Sequence, residues 1–182
     1  MNYKTIVDVA PVAEPVTLNE AKEQLRVQHS LEDAYISSLI VAARERAESY
    51  CNRFFTEQTV TTVFFGTYFN DNEIELPYPD INSIVSVKYL DDSNATQTID
   101  ALDYYFDPFV SVLYFDSLPS AKNYQIQIVT KAPSVMASAK QAILMMVTDM
   151  YEIRTESILG TFVSMNPAVK SLLYPYRVKM GI

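Results

Sequence analysis

The sequence predicts an α+β fold: a small helical bundle of two long and two short helices, an inserted antiparallel β-unit, and an extended C-terminal tail. Three observations carry this. Apolar residues recur at helical spacing only towards the two ends of the chain. Short β-branched and aromatic runs, each bounded by turn residues, fill the middle. Start signals of the Ser/Thr/Asn type stand just ahead of the helical stretches.

The elements follow in order. MNYKTIVDVAPVAEP lacks a basic head, a long apolar run and a small-residue cleavage site, so no secretory signal is expected and the protein is expected to be made in a cytoplasm. In VTLNEAKEQLRV, Thr17 and Glu20 have the spacing of a capping box, in which each side chain accepts the other residue's backbone N–H. Ser30 then precedes LEDAYISSLIVAARERAESYC, whose stripe Ile36, Leu39, Ile40, Ala43, Ala47 and Tyr50 predicts a long helix. Glu32 and Asp33 suit its positive end, Asn52 suits its stop, and Arg44, Glu45, Arg46 and Glu48 are expected mainly on its outer face. From residue 57 the runs TVTTVFF, EIEL, SIVSVKYL, TQTI, YYFDP, VSVLYF and YQIQIVT predict six or seven strands, with Tyr124, Ile126 and Ile128 facing one way. Pro133 and Ser134 open a second long helical pattern with the stripe Met136, Ala139, Ile143, Met146, Val147 and Met150, expected to pack on the first. Asn166 and Pro167 read as N-cap and first residue of a short helix ending near Pro175. The organisation is thus a helical part over 1–56, the β-unit over 57–131, helices completing the bundle over 132–174, and a tail over 175–182.

Composition bounds the chemistry. The 182 residues carry a formal charge of −8, a 49% hydrophobic content and no run long enough to span a bilayer. Charge is uneven: residues 59–135 carry 3 basic and 10 acidic groups, whereas residues 136–182 carry 5 and 3. A surface that grips nucleic-acid phosphates needs clustered Lys and Arg, which this balance does not supply. The 3 glycines, Gly66, Gly160 and Gly181, are not spaced to wrap a phosphate. With Cys51 the one cysteine and His29 the one histidine, neither an internal disulfide nor a Cys/His zinc site can form. His29 reads as a solvated loop residue and Cys51 as a small packed side chain. Acidic clusters at Asp71, Glu73 and Glu75, at Asp91 and Asp92, and at Asp100, Asp103 and Asp107 could in principle hold a hard cation or serve as paired acid and base. All fall at predicted turns or on alternating strand positions, where solvated charge is the default.

Tyrosine is abundant, with 13 copies, and clusters at Tyr78, Tyr104–Tyr105 and Tyr174–Tyr176. Such side chains bury area while keeping a polar handle, which suits interfaces as well as cores. The last residues, YRVKMGI, have no helical period and no cap. They read as a tail that gains order from a partner, so removing 175–182 is expected to leave the fold's stability unchanged.

Together these segments resemble one family. Thr17, Leu18, Glu20, Ala21, Lys22, Leu25, Arg26 and Val27, followed by Ala43, Arg44 and the E-x-Y-x-x-R set Glu48, Tyr50 and Arg53, are similar to the opening of tailed-bacteriophage head–tail connector (adaptor) proteins. LPYPDINSIVSVKYLD, QAILMMVTDMYEIR and LLYPYRV agree in order, so the resemblance spans nearly the whole chain. It implies a structural virion protein with no catalytic residue, cofactor or metal, located at the head–tail junction. It further implies a ring of about twelve copies docking under the portal protein after DNA packaging and seating the next neck or tail-completion protein. DNA would pass through the lumen without specific binding, and no membrane is involved. The family's portal-contacting element is its C-terminal segment, which assigns Tyr174, Tyr176, Arg177, Val178 and Lys179 to docking. Two alternatives stand beside this reading: a head-closure or tail-completion protein lower in the neck, and, from another class, a carboxylate-based metal-dependent or carbohydrate-active enzyme using Glu73, Asp91 or Asp92.

Overall fold

The computed structural model describes residues 2–66, 72–133, 136–153, 157–158, 161–162 and 165–178. Residues 2–12 and 56–132 form one compact unit, and residues 13–55 with 133–178 form another. Helices and antiparallel sheets are both present, so the class is α+β, as read from the sequence.

The helical unit contains α1 (Leu18–Leu25), α2 (Asp33–Cys51), α3 (Ala137–Glu152), α4 (Pro167–Leu173) and a one-turn 3₁₀ helix, η1 (Tyr174–Tyr176). The capping box forms: Thr17 Oγ1 accepts the Glu20 N–H at 3.2 Å, and Glu20 Oε2 accepts the Thr17 N–H at 2.7 Å. Those bonds to the carboxylate hold the Glu20 acid below its usual range. Arg26, in left-handed backbone at φ 58°, ends α1. α2 starts two residues beyond the sequence expectation and stops at Asn52, also left-handed at φ 52°. α3 packs on α2 through Ile36, Ile40, Ala43 and Ala47 on one side and Ala139, Ile143, Met146 and Val147 on the other. Alanines at this seam let the helix backbones approach closely, and Ala21, Val169, Leu173 and Phe55 close the same core. Two short strands, Ser157–Ile158 and Thr161–Phe162, pair between α3 and α4.

The outer-face expectation for α2 fails at two positions. Glu45 and Arg46 are exposed, but Arg44 and Glu48 are only 4% and 8% exposed. Arg44 Nη1 meets Glu48 Oε2 at 2.7 Å, and its Nε meets Glu14 Oε2 at 2.8 Å. Glu48 Oε1 also accepts the Phe55 N–H at 2.8 Å. The positions follow Ala43 and Ala47 by one residue, so a buried face wider than the apolar stripe engulfs them. Burial opposes the Arg44 charge, but the two carboxylates outweigh it and the guanidinium holds its proton more tightly than usual.

The sheet unit contains β1 (Asn2–Val9), β2 (Thr59–Phe65), β3 (Glu73–Glu75), β4 (Ile81–Leu90), β5 (Thr96–Ile99), β6 (Tyr104–Asp107), β7 (Val112–Phe115) and β8 (Asn123–Thr130). Two antiparallel sheets result, with orders β1-β2-β8-β4-β5 and β3-β7-β6. The seven runs read from the sequence are β2 to β8. The departure is β1: residues 2–12 join the sheet unit, not the helical part to which 1–56 was assigned. KTIVDV is β-branched enough for a strand, and β2 supplies its partner in register Thr5↔Thr62. Across the larger sheet, Phe64 lies opposite Tyr124, Thr62 opposite Ile126 and Val60 opposite Ile128, so the inward row is continuous. In β4, Ile84 pairs with Ile128 and Val87 with Ile126, although three positions separate them. An irregularity between Ile84 and Ser86 absorbs the extra residue and leaves Val85 outside.

Arg44→Ala is expected to cost about 3–5 kcal/mol, because it strands Glu48 in the interior. Arg46→Ala, at an exposed position of the same helix, should change stability by less than about 0.5 kcal/mol. Urea melts of the two variants check this; equal effects would remove the buried ion cluster from the fold's support.

Candidate docking interface

The C-terminal segment is built from α4 onwards. Asn166 Oδ1 accepts the Ala168 N–H at 3.0 Å and Pro167 occupies the first helical position, where its missing N–H costs nothing. Val169 and Leu173 face the helical core, leaving Lys170 in solvent. Pro175 has no N–H to continue the α-helical ladder, and the chain tightens into η1.

The segment from Tyr174 to Val178 departs from the expectation of a coreless tail. The Tyr176 ring meets Phe55 edge-on at 5.7 Å, and its hydroxyl bonds Ser138 Oγ at 3.0 Å. The Val178 N–H reaches the Cys51 carbonyl at 2.8 Å, and Asn52 Nδ2 donates to the Val178 carbonyl at 3.2 Å. Arg177 lies over the Tyr50 ring at 5.3 Å, a cation–π contact. The C-terminal end of α2, held open by the left-handed Asn52, therefore forms a platform on which the chain is pinned. Of the five residues assigned to docking, Tyr176 and Val178 are committed to this platform. Tyr174 and Arg177 remain at the surface, and Lys179 lies outside the described residues.

The platform residues Cys51, Asn52, Phe55 and Ser138 have no counterpart among the docking residues read from the sequence. Tyr50, within E-x-Y-x-x-R, is the one signal that could have indicated them. Burial pushes the Cys51 thiol up to about 11, against the pull of Arg53 and Arg177. Its Sγ points at the Leu173 carbonyl at 3.6 Å, so this cysteine packs, as the sequence reading expects.

The acidic candidates are turn formers. Asp91 Oδ1 accepts from Ser93 Oγ at 2.6 Å and from the N–H groups of Ser93 and Ala95, each at 2.9 Å. These bonds, led by the Ser93 hydroxyl, lower its pKa to about 2. Asp100 and Asp107 accept the N–H groups of Leu102 and Phe109 in the same way. Glu73 and Glu75 stand outward on β3, Asp92 and Asp103 are exposed, His29 is exposed, and Asp71 lies outside the described residues. Among the described residues no three His, Cys, Asp or Glu side chains converge to hold a metal, and no helix is long and apolar enough to cross a membrane.

The described residues thus form a helical core joined in sequence to antiparallel sheets, with the C-terminal segment folded back on the helices. Residues 14–177 match the family described as Head completion protein, and the chain belongs to that family, whose members are structural proteins of the phage virion. No curated protein sequence matches it. Among solved structures, it is similar to a chain in the neck of an empty gene transfer agent (GTA) particle computed with C6 symmetry. The TM-score is 0.75 at 16% identity, covering 100% of this chain and 98% of that one. A chain in the virion of a native GTA particle gives a TM-score of 0.71 at 15% identity, covering 96% and 97%. A chain in the neck of the native particle computed with C12 symmetry gives 0.63 at 13%, with the same coverage. These likenesses concern the fold.

Tyr176→Ala should destabilise the chain by about 2 kcal/mol or more, since it opens the core beside Phe55. Tyr174→Ala should stay within about 0.5 kcal/mol; thermal melts separate the two. The depressed Asp91 carboxyl contributes stability that is present above the ordinary carboxylate range and lost as pH falls towards 2. In side-chain NMR titrations its midpoint should lie near 2 and rise in Ser93→Ala; an ordinary midpoint would refute the turn geometry.

Proposed function

We propose that this protein is a head–tail connector that docks as a ring under the portal after DNA packaging and seats the next neck or tail-completion protein. The observation that carries the reading is the match of fold over the full length of chains found in GTA necks, together with membership of the head completion family. Those necks were computed with C6 and C12 symmetry, which supports about twelve copies around the channel. Head-to-tail contacts between copies close into such a ring when the rotation permits. Copies each carrying −8 would present DNA in the lumen with like charge, so it passes without specific binding.

Tyr174 and Arg177, with Lys179, form the portal contact, and Tyr176 and Val178 act beneath them by fixing the segment. A basic aromatic surface on an otherwise acidic subunit suits an acidic, partly apolar groove.

The test is the mass of the portal ring from the same genome mixed with this chain. A gain of twelve times 20.7 kDa, about 250 kDa, is expected. The double variant Tyr174→Ala, Arg177→Ala should lose that gain while melting like the wild type. No gain with the wild-type chain would overturn portal docking and favour the head-closure position lower in the neck.

A further inference from the structure

The smaller sheet, β3-β7-β6, buries side chains on one face and exposes them on the other. Ile74 and Leu113 are buried cross-strand neighbours, and Tyr104 packs on Phe115 at 5.8 Å. On the opposite face Tyr105 and Tyr114 are direct cross-strand partners, 64% and 42% exposed. Leu102 and Phe109, on the turns at the two ends of β6, are 88% and 96% exposed.

These apolar tips are not loose. Asp100 Oδ1 holds the Leu102 N–H at 3.0 Å, and Asp107 Oδ1 holds the Phe109 N–H at 2.8 Å. Ser111 turns the chain in left-handed backbone at φ 57°, and its carbonyl accepts the Leu76 N–H at 2.8 Å. Large apolar side chains are thus displayed to solvent on pinned turns, which lowers the entropy cost of covering them.

The segments that build this sheet carry charge of a single sign. Residues 72–80 and 100–118 contain no Lys or Arg, while Glu73 lies opposite Tyr114 and Glu75 opposite Val112 on the same sheet. We propose that this face is a docking surface for a different protein of the particle, one whose contact surface sets Lys or Arg side chains around apolar ones. The aromatic residues supply the buried centre, and the carboxylates select a cationic rim. Nucleic acid would be repelled by the carboxylates, and two copies meeting through this face would set like charges against each other. The inference rests on the reading of the chain as a neck component with more than one partner, and it assigns the surface opposite in charge to the portal-contacting segment.

The test uses DNA-filled heads from particles lacking this chain, supplied first with the purified protein and then with a tail-bearing extract of cells that make no heads. Copies bound per head and joined particles are counted. Two variants are compared with the wild type: Tyr105→Ser, Phe109→Ser, Tyr114→Ser, and the charge reversal Glu73→Lys, Glu75→Lys. Each should melt like the wild type and bind heads at the same copy number, yet lower the yield of joined particles about ten-fold or more. Unchanged joining would overturn the proposal. Loss of head binding by a variant that still melts normally would also overturn it, because the face would then contact the portal or a neighbouring copy. Failure of the wild-type chain to bind heads would sink the neck reading and the proposal together.

Discussion

The Arg44 guanidinium, enclosed between Glu14 and Glu48, is the constraint on which the helical unit depends. Glu14 lies just after the chain passes from the sheet unit into the helical one, and Phe55, whose N–H is held by Glu48, lies just before it passes back. The Arg44–Glu48 pair on α2 therefore clips both ends of residues 13–55 to the same helix. A buried charge is costly to desolvate and is tolerated only when its bonds are satisfied, so the arrangement works as a unit or not at all. The same side chains also dictate how the helix packs. Ala43 and Ala47 stand beside them because larger residues there would push α3 away and let water reach the ion pair.

A second consequence concerns the C-terminal segment. Docking elements that fold only on contact lose ordering entropy at that moment. Here Tyr176 and Val178 hold the segment against Phe55 and Cys51 in the free chain, so the surface at Tyr174 is shaped in advance. Tyr176 and Val178, both half-buried, thereby tie this stretch to the stability of the helical unit.

Charge is divided unevenly along the chain. The sheet unit carries the acidic excess, spent largely on turns, where Asp91, Asp100 and Asp107 accept backbone N–H groups. The C-terminal segment carries exposed basic side chains.

Much of this was legible in the residues themselves. The capping box at Thr17 and Glu20, the left-handed stop at Asn52, the seven strand runs, the α2 and α3 stripes and the Asn166–Pro167 start are local signals, set by hydrogen-bond geometry within a few residues or by side-chain period. The resemblance carried by Thr17 to Arg53 led to the family that the match over residues 14–177 establishes. What the tertiary structure decided has a common character. Arg44 and Glu48 look like solvated helix charges until Glu14 and Phe55 arrive from 30 and 7 residues away. Residues 2–9 become a strand because β2, more than 50 positions later, offers an edge. Ile84 and Val87 share a face because an irregularity opposite β8 breaks the period of two. Tyr176 packs on the helical core because Phe55, more than 120 positions earlier, lies beneath it. In most of these cases the deciding partner is distant along the chain, and no local pattern of propensity or periodicity records whether a side chain will meet it.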